Sequence, residues 1–194
     1  MAVGDDERAA PPAGLEAAVE RVVAALAAAP ARCGTTKVVV LDGRSGAGKS
    51  TLARALGTRL SAPVLQLEGL YDGWDGLARG VARLASDVLA PLARGEDAHV
   101  PQWDWHAEAW GAPRRLPARL PLLVVEGVGA GAVDAARFAS VLVWVQAPDD
   151  VRHERAIARD GDAYTPFWDA WADQERQLLA RDDIRSRADM VIEM

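Results

Sequence analysis

Lys37 to Thr51 reads KVVVLDGRSGAGKST, and three local signals stand in it side by side. Lys37 to Asp42 is a short β-branched run, the pattern of a strand covered on both faces. Gly43 to Ser50, GRSGAGKS, is too rich in glycine to continue that strand and fits the spacing GxxxxGK[ST]. From Lys49 to Leu60, leucines at 52, 56 and 60 recur every four residues among good helix formers, which predicts a helix. Strand, glycine loop and helix therefore follow one another without a spacer.

That context gives the loop a chemical meaning. Glycines at 43, 46 and 48 let the backbone take positive φ and turn its N–H groups inward, into a concave nest that matches polyphosphate oxygens. The candidate triphosphate site is the whole run Gly43, Arg44, Ser45, Gly46, Ala47, Gly48, Lys49, Ser50 and Thr51. Within it Lys49 can reach the β- and γ-phosphates, and Ser50 can ligate Mg²⁺ ahead of Thr51. The helix that follows aims its positive end at the anion. Basic residue usage agrees, because of 22 Lys and Arg residues only Lys37 and Lys49 are lysines.

Outward from the loop the same alternation continues. Val64 to Leu67, Leu120 to Val125, Val141 to Val145 and Met190 to Ile192 read as further buried strands. Helical spacing appears from Leu15 to about Pro30, and at Leu77 to Leu92, Asp149 to Arg159 and Phe167 to Arg181. Strands alternating with helices imply an α/β three-layer sandwich, a mostly parallel five-stranded sheet with helices on both faces. Gly95 to Pro121 and the turn around Gly161 to Pro166 read as irregular. At 194 residues, half of them hydrophobic, residues 1–194 are the size of one domain with its own core, and residues 1–14 are expected to be flexible.

Composition removes several classes of function. A net charge of −6 with scattered basic residues argues against a nucleic-acid partner, since phosphate backbones call for clustered Lys and Arg. Cys33 is the only cysteine, so no intrachain disulfide or Cys-based zinc site can form, and a reducing cytoplasm is the expected compartment. The acidic start is unlike a secretory signal, and no stretch reaches the ~20 apolar residues of a membrane span. The chain has no asparagine, so the NKxD guanine-reading motif of a GTP switch is ruled out.

Polar residues at predicted strand ends must decide the chemistry, because ligands of open α/β sheets bind there. Asp42, Glu68 and Glu126 all end or follow strands. Transfer of a phosphoryl group to an alcohol needs one carboxylate to orient the hydroxyl and take its proton, while Mg²⁺ bridges the phosphates. Glu68 suits the first role and Glu126 the second, with Asp42 a supporting group; a solvated loop carboxylate is the competing reading for each. Arg152, Arg155 and Arg159 share one helix face, either as a lid over phosphates or as a solvated face paired with Asp149, Asp150 and Glu154. Trp103, Trp105 and Trp110 fall in the irregular stretch, where aromatics line a pocket or pack beneath a loop. Trp168 and Trp171 are read as core, and His99, His106 and His153 as surface residues without metal-ligand spacing.

From Val38 to Asp160 the chain resembles the uridine kinase and phosphoribulokinase group of P-loop small-molecule kinases. LEGLY puts Glu68 and Tyr71 in register with the group's acid-then-aromatic segment, DxFY, whose acid is the base. VPQWDW places Trp103, Asp104 and Trp105 like the PxYDF-like segment that contacts the nucleoside. Glu126 and Gly127 match the strand ending in EG, and Arg152, Arg155, Arg159 and Asp160 the arginine-bearing helix with RD near its end. The chain departs from the pattern in having Glu68 where the group has Asp, and GDAYTPFWDAW where the nucleoside kinases reach an additional arginine.

The resemblance implies a single P-loop kinase domain using ATP and Mg²⁺, with residues 148–170 as a lid. Lys49, Glu68, Arg155 and Arg159 would be catalytic, Ser50 and Glu126 metal-binding, and Tyr71, Trp103, Asp104 and Trp105 in contact with the acceptor. The acceptor would be a small molecule, a nucleoside first. Two alternatives stay open: a kinase for another alcohol such as a vitamin precursor, sugar or antibiotic, and a nucleotide-binding regulatory module without transfer chemistry. Oligomeric state is not readable from the sequence.

Overall fold

The computed structural model describes residues 14–160 and 165–194, apart from the side chains at 159, 160 and 165. Helix α1 (Leu15–Ala28) leads into β1 (Lys37–Asp42), and the glycine loop joins β1 to α2 (Lys49–Leu60). Strand β2 (Val64–Gln66) is one residue shorter than its apolar run, because the chain tightens into a 3₁₀ turn over Leu67–Leu70. A long helix follows as α3 (Leu77–Arg83), a π turn over Leu84–Leu89 and α4 (Ala90–Ala93). Pro91 accounts for the π turn: it has no N–H to donate backwards and its ring crowds the carbonyl four residues earlier.

The stretch expected to be irregular contains two small antiparallel ribbons, which corrects that reading. Strand β3 (Ala98–Val100) pairs with β6 (Arg114–Leu116), and between them β4 (Trp103–Asp104) pairs with β5 (Ala109–Trp110). Strands of two or three residues interrupted by Pro and Gly are too short to show a period of two. The chain then enters β7 (Leu122–Glu126), α5 (Val133–Ala136), β8 (Val141–Gln146), α6 (Asp149–Asp160), a 3₁₀ turn (Thr165–Phe167), α7 (Trp168–Asp182), α8 (Ile184–Arg187) and β9 (Met190–Glu193).

The main sheet runs in the order β2-β7-β1-β8-β9 and is parallel throughout. Alternate residues of β1 divide between two cores: Val38 and Val40 pack with the long helix, while Val39 and Leu41 pack with Val22 of α1 and Leu52 and Leu56 of α2. That alternation makes the three layers. Register then levels the carboxyl ends: Leu41 and Gln66 both face Glu126, and Asp42 faces Trp144. The loop, Glu68 and Glu126 consequently open at one rim of the sheet.

Cys33 is fully buried, and burial pushes its thiol up to about 11, so it behaves as a small inert core residue. No helix among the described residues is long and apolar enough to cross a membrane.

Candidate active site

The loop is held from below by Asp42. Its fully buried carboxylate accepts N–H bonds from Gly43 (2.6 Å), Gly129 (2.9 Å) and Gly131 (2.7 Å), tying the glycine loop to the loop after β7. Burial drives its pKa up to about 6, against the opposing pull of those three donors and of Lys49. Gly46 and Gly48 lie in the left-handed region at φ 77° and 95°. A Cβ at Gly46 would stand 2.1 Å from the Arg152 carbonyl oxygen, so the close approach of α6 to the loop requires glycine there.

The loop's N–H groups divide into two sets. Ser45 donates to Glu175 Oε1 (2.9 Å) and Ala47 to the Arg44 carbonyl (3.2 Å). Those of Arg44, Gly46, Gly48, Lys49, Ser50 and Thr51 have no acceptor among the described residues, and Gly48 caps the amino terminus of α2. Open N–H donors at a helix amino terminus, in a glycine loop whose positive φ values lie at Gly43, Gly46 and Gly48, fit a polyphosphate tail.

Beside the loop, Lys49 is buried and donates to the Arg44 carbonyl (3.0 Å), while Ser50 Oγ donates to Glu126 Oε1 (2.9 Å). Glu126 is buried at the last position of β7. A hydroxyl and a carboxylate in direct contact next to a phosphate cradle are the donor set that suits Mg²⁺, which takes few protein ligands and is held largely by the phosphates themselves. Among the described residues no cluster of three or more His, Cys, Asp or Glu could hold a metal ion without such help.

Glu68 lies in the 3₁₀ turn after β2 and lines a cleft of about 300 Å³ together with Ser45, Lys49, Ser50 and Glu126. The other wall is aromatic: Tyr71, Trp74, Trp105 and Trp171. Hydrogen bonds fix these rings from three segments. Trp105 Nε1 donates to the Glu68 carbonyl (3.0 Å), Tyr71 Oη to the Val128 carbonyl (2.9 Å), and Gln174 Nε2 of α7 to the Trp74 carbonyl (2.7 Å). Asp72 accepts from Arg79 and Arg83, whose guanidinium groups pull its pKa down to about 2 and pin the turn that carries Trp74.

Not every residue expected at the site reaches it. Tyr71 and Trp105 line the cleft, whereas Trp103 and Asp104 do not. Trp103 packs edge-on against Trp110, and its buried Nε1 has no acceptor among the described residues. Asp104 instead accepts the His106 and Ala107 N–H groups (2.9 and 3.0 Å), a turn that swings Trp105 and His106 to the rim. On α6, Arg152 contacts the loop: it is buried, donating to the Ser45 carbonyl (3.0 Å) and to Asp149 (2.6 Å). Arg155 donates to the Met194 carbonyl (3.2 Å), away from the cleft, and the Arg159 side chain lies outside the described residues, as does most of the 161–166 turn.

Two residues of α7 were not expected here. Glu175, buried, accepts from Ser45 N–H and Oγ (2.9 and 2.6 Å), Trp171 Nε1 (3.1 Å) and Arg44 Nε (3.1 Å). Trp171 is at once core and cleft wall, edge-on to Tyr71. The available signal was their i, i+4 spacing on one helix face. A second hollow of about 350 Å³ opens on the opposite side of the loop, lined by Arg44, Trp144, Gln146, Asp149, Arg152 and Arg185.

No protein-family model matches the chain. The bifunctional pantoate ligase/cytidylate kinase of Synechococcus sp. is 31% identical over 103 residues, 46% of this chain, and the chain spans 21% of that protein. Among solved structures, a possible uridine kinase from Bacillus stearothermophilus is similar at a TM-score of 0.63 and 18% identity, covering 92% of this chain and 97% of that one. A protein described as a fructose transport system kinase from Silicibacter sp. follows at 0.58 and 20% identity (92% and 98% covered). D-Glycerate 3-kinase from Cryptococcus neoformans stands at 0.51 and 10% identity (86% of each chain). The chain thus shares the fold of these kinase structures, and at identities of 20% or less the likeness concerns the fold alone.

Proposed function

We propose that this chain is an ATP-dependent phosphotransferase that moves the γ-phosphoryl group of MgATP to a hydroxyl of a small molecule. The observation that carries the reading is the position of the phosphate loop between two hollows. The acidic aromatic cleft on one side suits an acceptor, and the arginine-rich hollow on the other suits the remainder of a nucleotide whose tail lies in the loop.

In this reading the open N–H groups of the loop and Lys49 hold the phosphate charge, and they are already oriented before anything binds, so no reorganisation is required during transfer. Ser50 and Glu126 are the residues that would hold Mg²⁺, which when bound supplies charge neutralisation across the phosphates. Glu68 orients the acceptor hydroxyl and takes its proton. Arg152 and Glu175 hold the loop in shape from two helices, and the aromatic wall excludes water from the transfer. The nucleoside acceptor implied by the sequence resemblance has Tyr71, Trp103, Asp104 and Trp105 in contact with it, and of these Tyr71 and Trp105 line the cleft.

The test is ADP release from MgATP across nucleosides, sugars, amino alcohols and hydroxy acids. An acceptor that accelerates release is expected, with Lys49→Ala reducing turnover by about a thousandfold and Glu68→Gln by about a hundredfold. Tight MgATP binding with no acceptor-dependent release from any compound would leave a nucleotide-binding module instead.

A further inference from the structure

The acceptor side of the site is assembled from separate units of the fold, and one cation outside the cleft touches two of them. We propose that Arg83, at the last position of α3, is a positioning residue of that cleft: its guanidinium seats the β4–β5 ribbon, through Trp110, against the turn that carries Glu68. The proposal deepens the phosphotransfer reading and rests on it for the word acceptor.

The ribbon needs such a hold. Its strands are two residues each, Trp103 facing Trp110 and Asp104 facing Ala109, with a further bond from the Gly111 N–H to the Gln102 carbonyl (2.8 Å). A two-stranded hairpin of that length is marginal in water by itself. Apart from Trp103 and Trp105, every residue from 103 to 110 is exposed, so little apolar burial fastens the ribbon to the body of the fold. Yet the turn joining its strands puts Trp105 and His106 in the cleft lining, where their placement decides what fits. Trp105 Nε1 ties that turn to the Glu68 carbonyl (3.0 Å). At the far end of the second strand Trp110 is 42% exposed and lies under Arg83, whose guanidinium carbon is 4.6 Å from the ring centroid.

A guanidinium binds through donors fixed in its plane and through a charge that aromatic faces attract, and Arg83 uses both. Nη1 donates to the Leu70 carbonyl (3.0 Å) and Nη2 to Asp72 Oδ2 (2.9 Å), so it grips the chain on either side of Tyr71, just beyond the 3₁₀ turn. Its charge meets Trp110, and indole is the strongest aromatic partner for a cation. The Arg83 side chain is only 24% exposed, and partial desolvation makes that attraction larger than on an open surface. Trp110 in turn takes the edge of Trp103 at 73° and 5.2 Å, which carries the contact across both strands. One side chain therefore fixes the spacing between the Glu68 turn and the ribbon before an acceptor enters. With this contact weakened the ribbon leaves its seat part of the time, and apparent acceptor affinity falls in proportion to the seated fraction. The phosphate loop, held by Asp42 and Glu175, does not depend on it.

The experiment compares Trp110→Ala, Trp110→Phe and Arg83→Lys with the parent, all as full chains. Trp110 stands on the surface, so its truncation leaves both cores intact, and lysine keeps the charge of Arg83 while losing the planar fork. Hydrogen exchange read by mass spectrometry, with nothing bound, is expected to quicken about fivefold across residues 102–111 in Trp110→Ala and Arg83→Lys, and to stay unchanged across 43–52. In ADP release, with the best acceptor among nucleosides, sugars, amino alcohols and hydroxy acids, acceptor KM is expected to rise about fivefold in the same two variants. There kcat and MgADP affinity should stay within about twofold of the parent, and Trp110→Phe should keep most of the parent behaviour in both assays. Unchanged exchange across 102–111, a loss in Trp110→Phe equal to that in Trp110→Ala, or kcat and MgADP affinity falling along with the rise in KM would overturn the proposal. The two readings fail separately. Acceptor-dependent release at the parent's KM in both variants leaves phosphotransfer standing and removes the role of Arg83. Faster exchange of the ribbon in a chain that shows no acceptor-dependent release leaves the seating by Arg83 standing and removes phosphotransfer.

Discussion

The phosphate loop and the aromatic cleft meet at Lys49 and Ser50, yet they are built by opposite means. The loop is a contiguous run of main-chain N–H groups shaped by glycine, so its chemistry is carried by eight neighbouring residues. The cleft is assembled from side chains about a hundred positions apart in the chain, Tyr71 and Trp74 on one turn, Trp105 on a ribbon and Trp171 on α7, and only packing brings them together. The first kind of site is specified by backbone conformation, which local sequence controls. The second is specified by side-chain placement, and in the proposed function it is the part that would set which acceptor is used. Glu175 is the link, since one carboxylate receives both the loop's Ser45 and the cleft's Trp171.

That contrast can be broken most severely at Gly46. Gly46→Ala places a Cβ against the Arg152 carbonyl at a left-handed φ, and MgADP affinity is expected to fall by about a hundredfold or more alongside a lower melting temperature, both read by calorimetry. A lower melting temperature with unchanged nucleotide affinity would mean that the loop is only a turn.

Next in size is the link itself. Glu175→Ala leaves Arg44 without its buried partner and is expected to cost about 3 kcal/mol in urea unfolding. Because Ser45 loses its acceptor and Trp171 keeps only Ser45 Oγ, KM for nucleotide and for acceptor should rise together. A rise in one alone would show that the two regions are independent.

A smaller effect is expected from pH. The folded pKa of Asp42, about 6, lies above the ordinary 3.8, so the folded state holds this proton more tightly than the unfolded chain does. Its contribution to stability is therefore full below about pH 4 and is lost as pH rises through about 6. Asp72, held down at about 2, acts in the opposite sense, contributing above its ordinary pKa and losing that contribution on acidification. Unfolding curves of the parent chain and Asp42→Asn between pH 4 and 7 should converge or diverge only within the Asp42 window. A constant difference across that range would reject the assignment.

The mildest change sharpens the boundary of the cleft. Trp103→Phe removes a buried N–H that has no acceptor among the described residues, so stability is expected to change by no more than about 0.5 kcal/mol, with acceptor KM unchanged. A raised acceptor KM would put Trp103 back among the acceptor contacts.

The fold was legible because its signals are local. KVVVLD followed by GRSGAGKS and a leucine-spaced helix announces strand, nest and helix in one reading, and the remaining buried strands differ from their expected limits by one or two residues. Asp42, Glu68 and Glu126 were found for the same reason, since strand ends in a parallel sheet converge on one rim. The short ribbons between 98 and 116 were not legible, because two or three residues carry no period. In VPQWDW the residue types pointed to ligand contact, yet which tryptophan faces the cleft depends on a turn closed by Asp104, and it is Trp105 that does so. On α6, spacing put three arginines on one face, and the approach of that helix to Gly46 brings Arg152 to the loop while Arg155 bonds the Met194 carbonyl.

Sequence by itself determined the parallel sheet, the phosphate nest and the carboxylates around it, because backbone dihedrals and strand ends are set by residues adjacent in the chain. Tertiary structure alone decided the cleft: that α7 delivers Trp171 and Glu175, that Trp103 stays out of its lining, and that Arg44, Arg152 and Arg185 line the hollow across the loop while aromatic rings line this one. Those contacts join segments far apart in the chain, and they exist only once both cores have packed and fixed the distance between helix, ribbon and sheet.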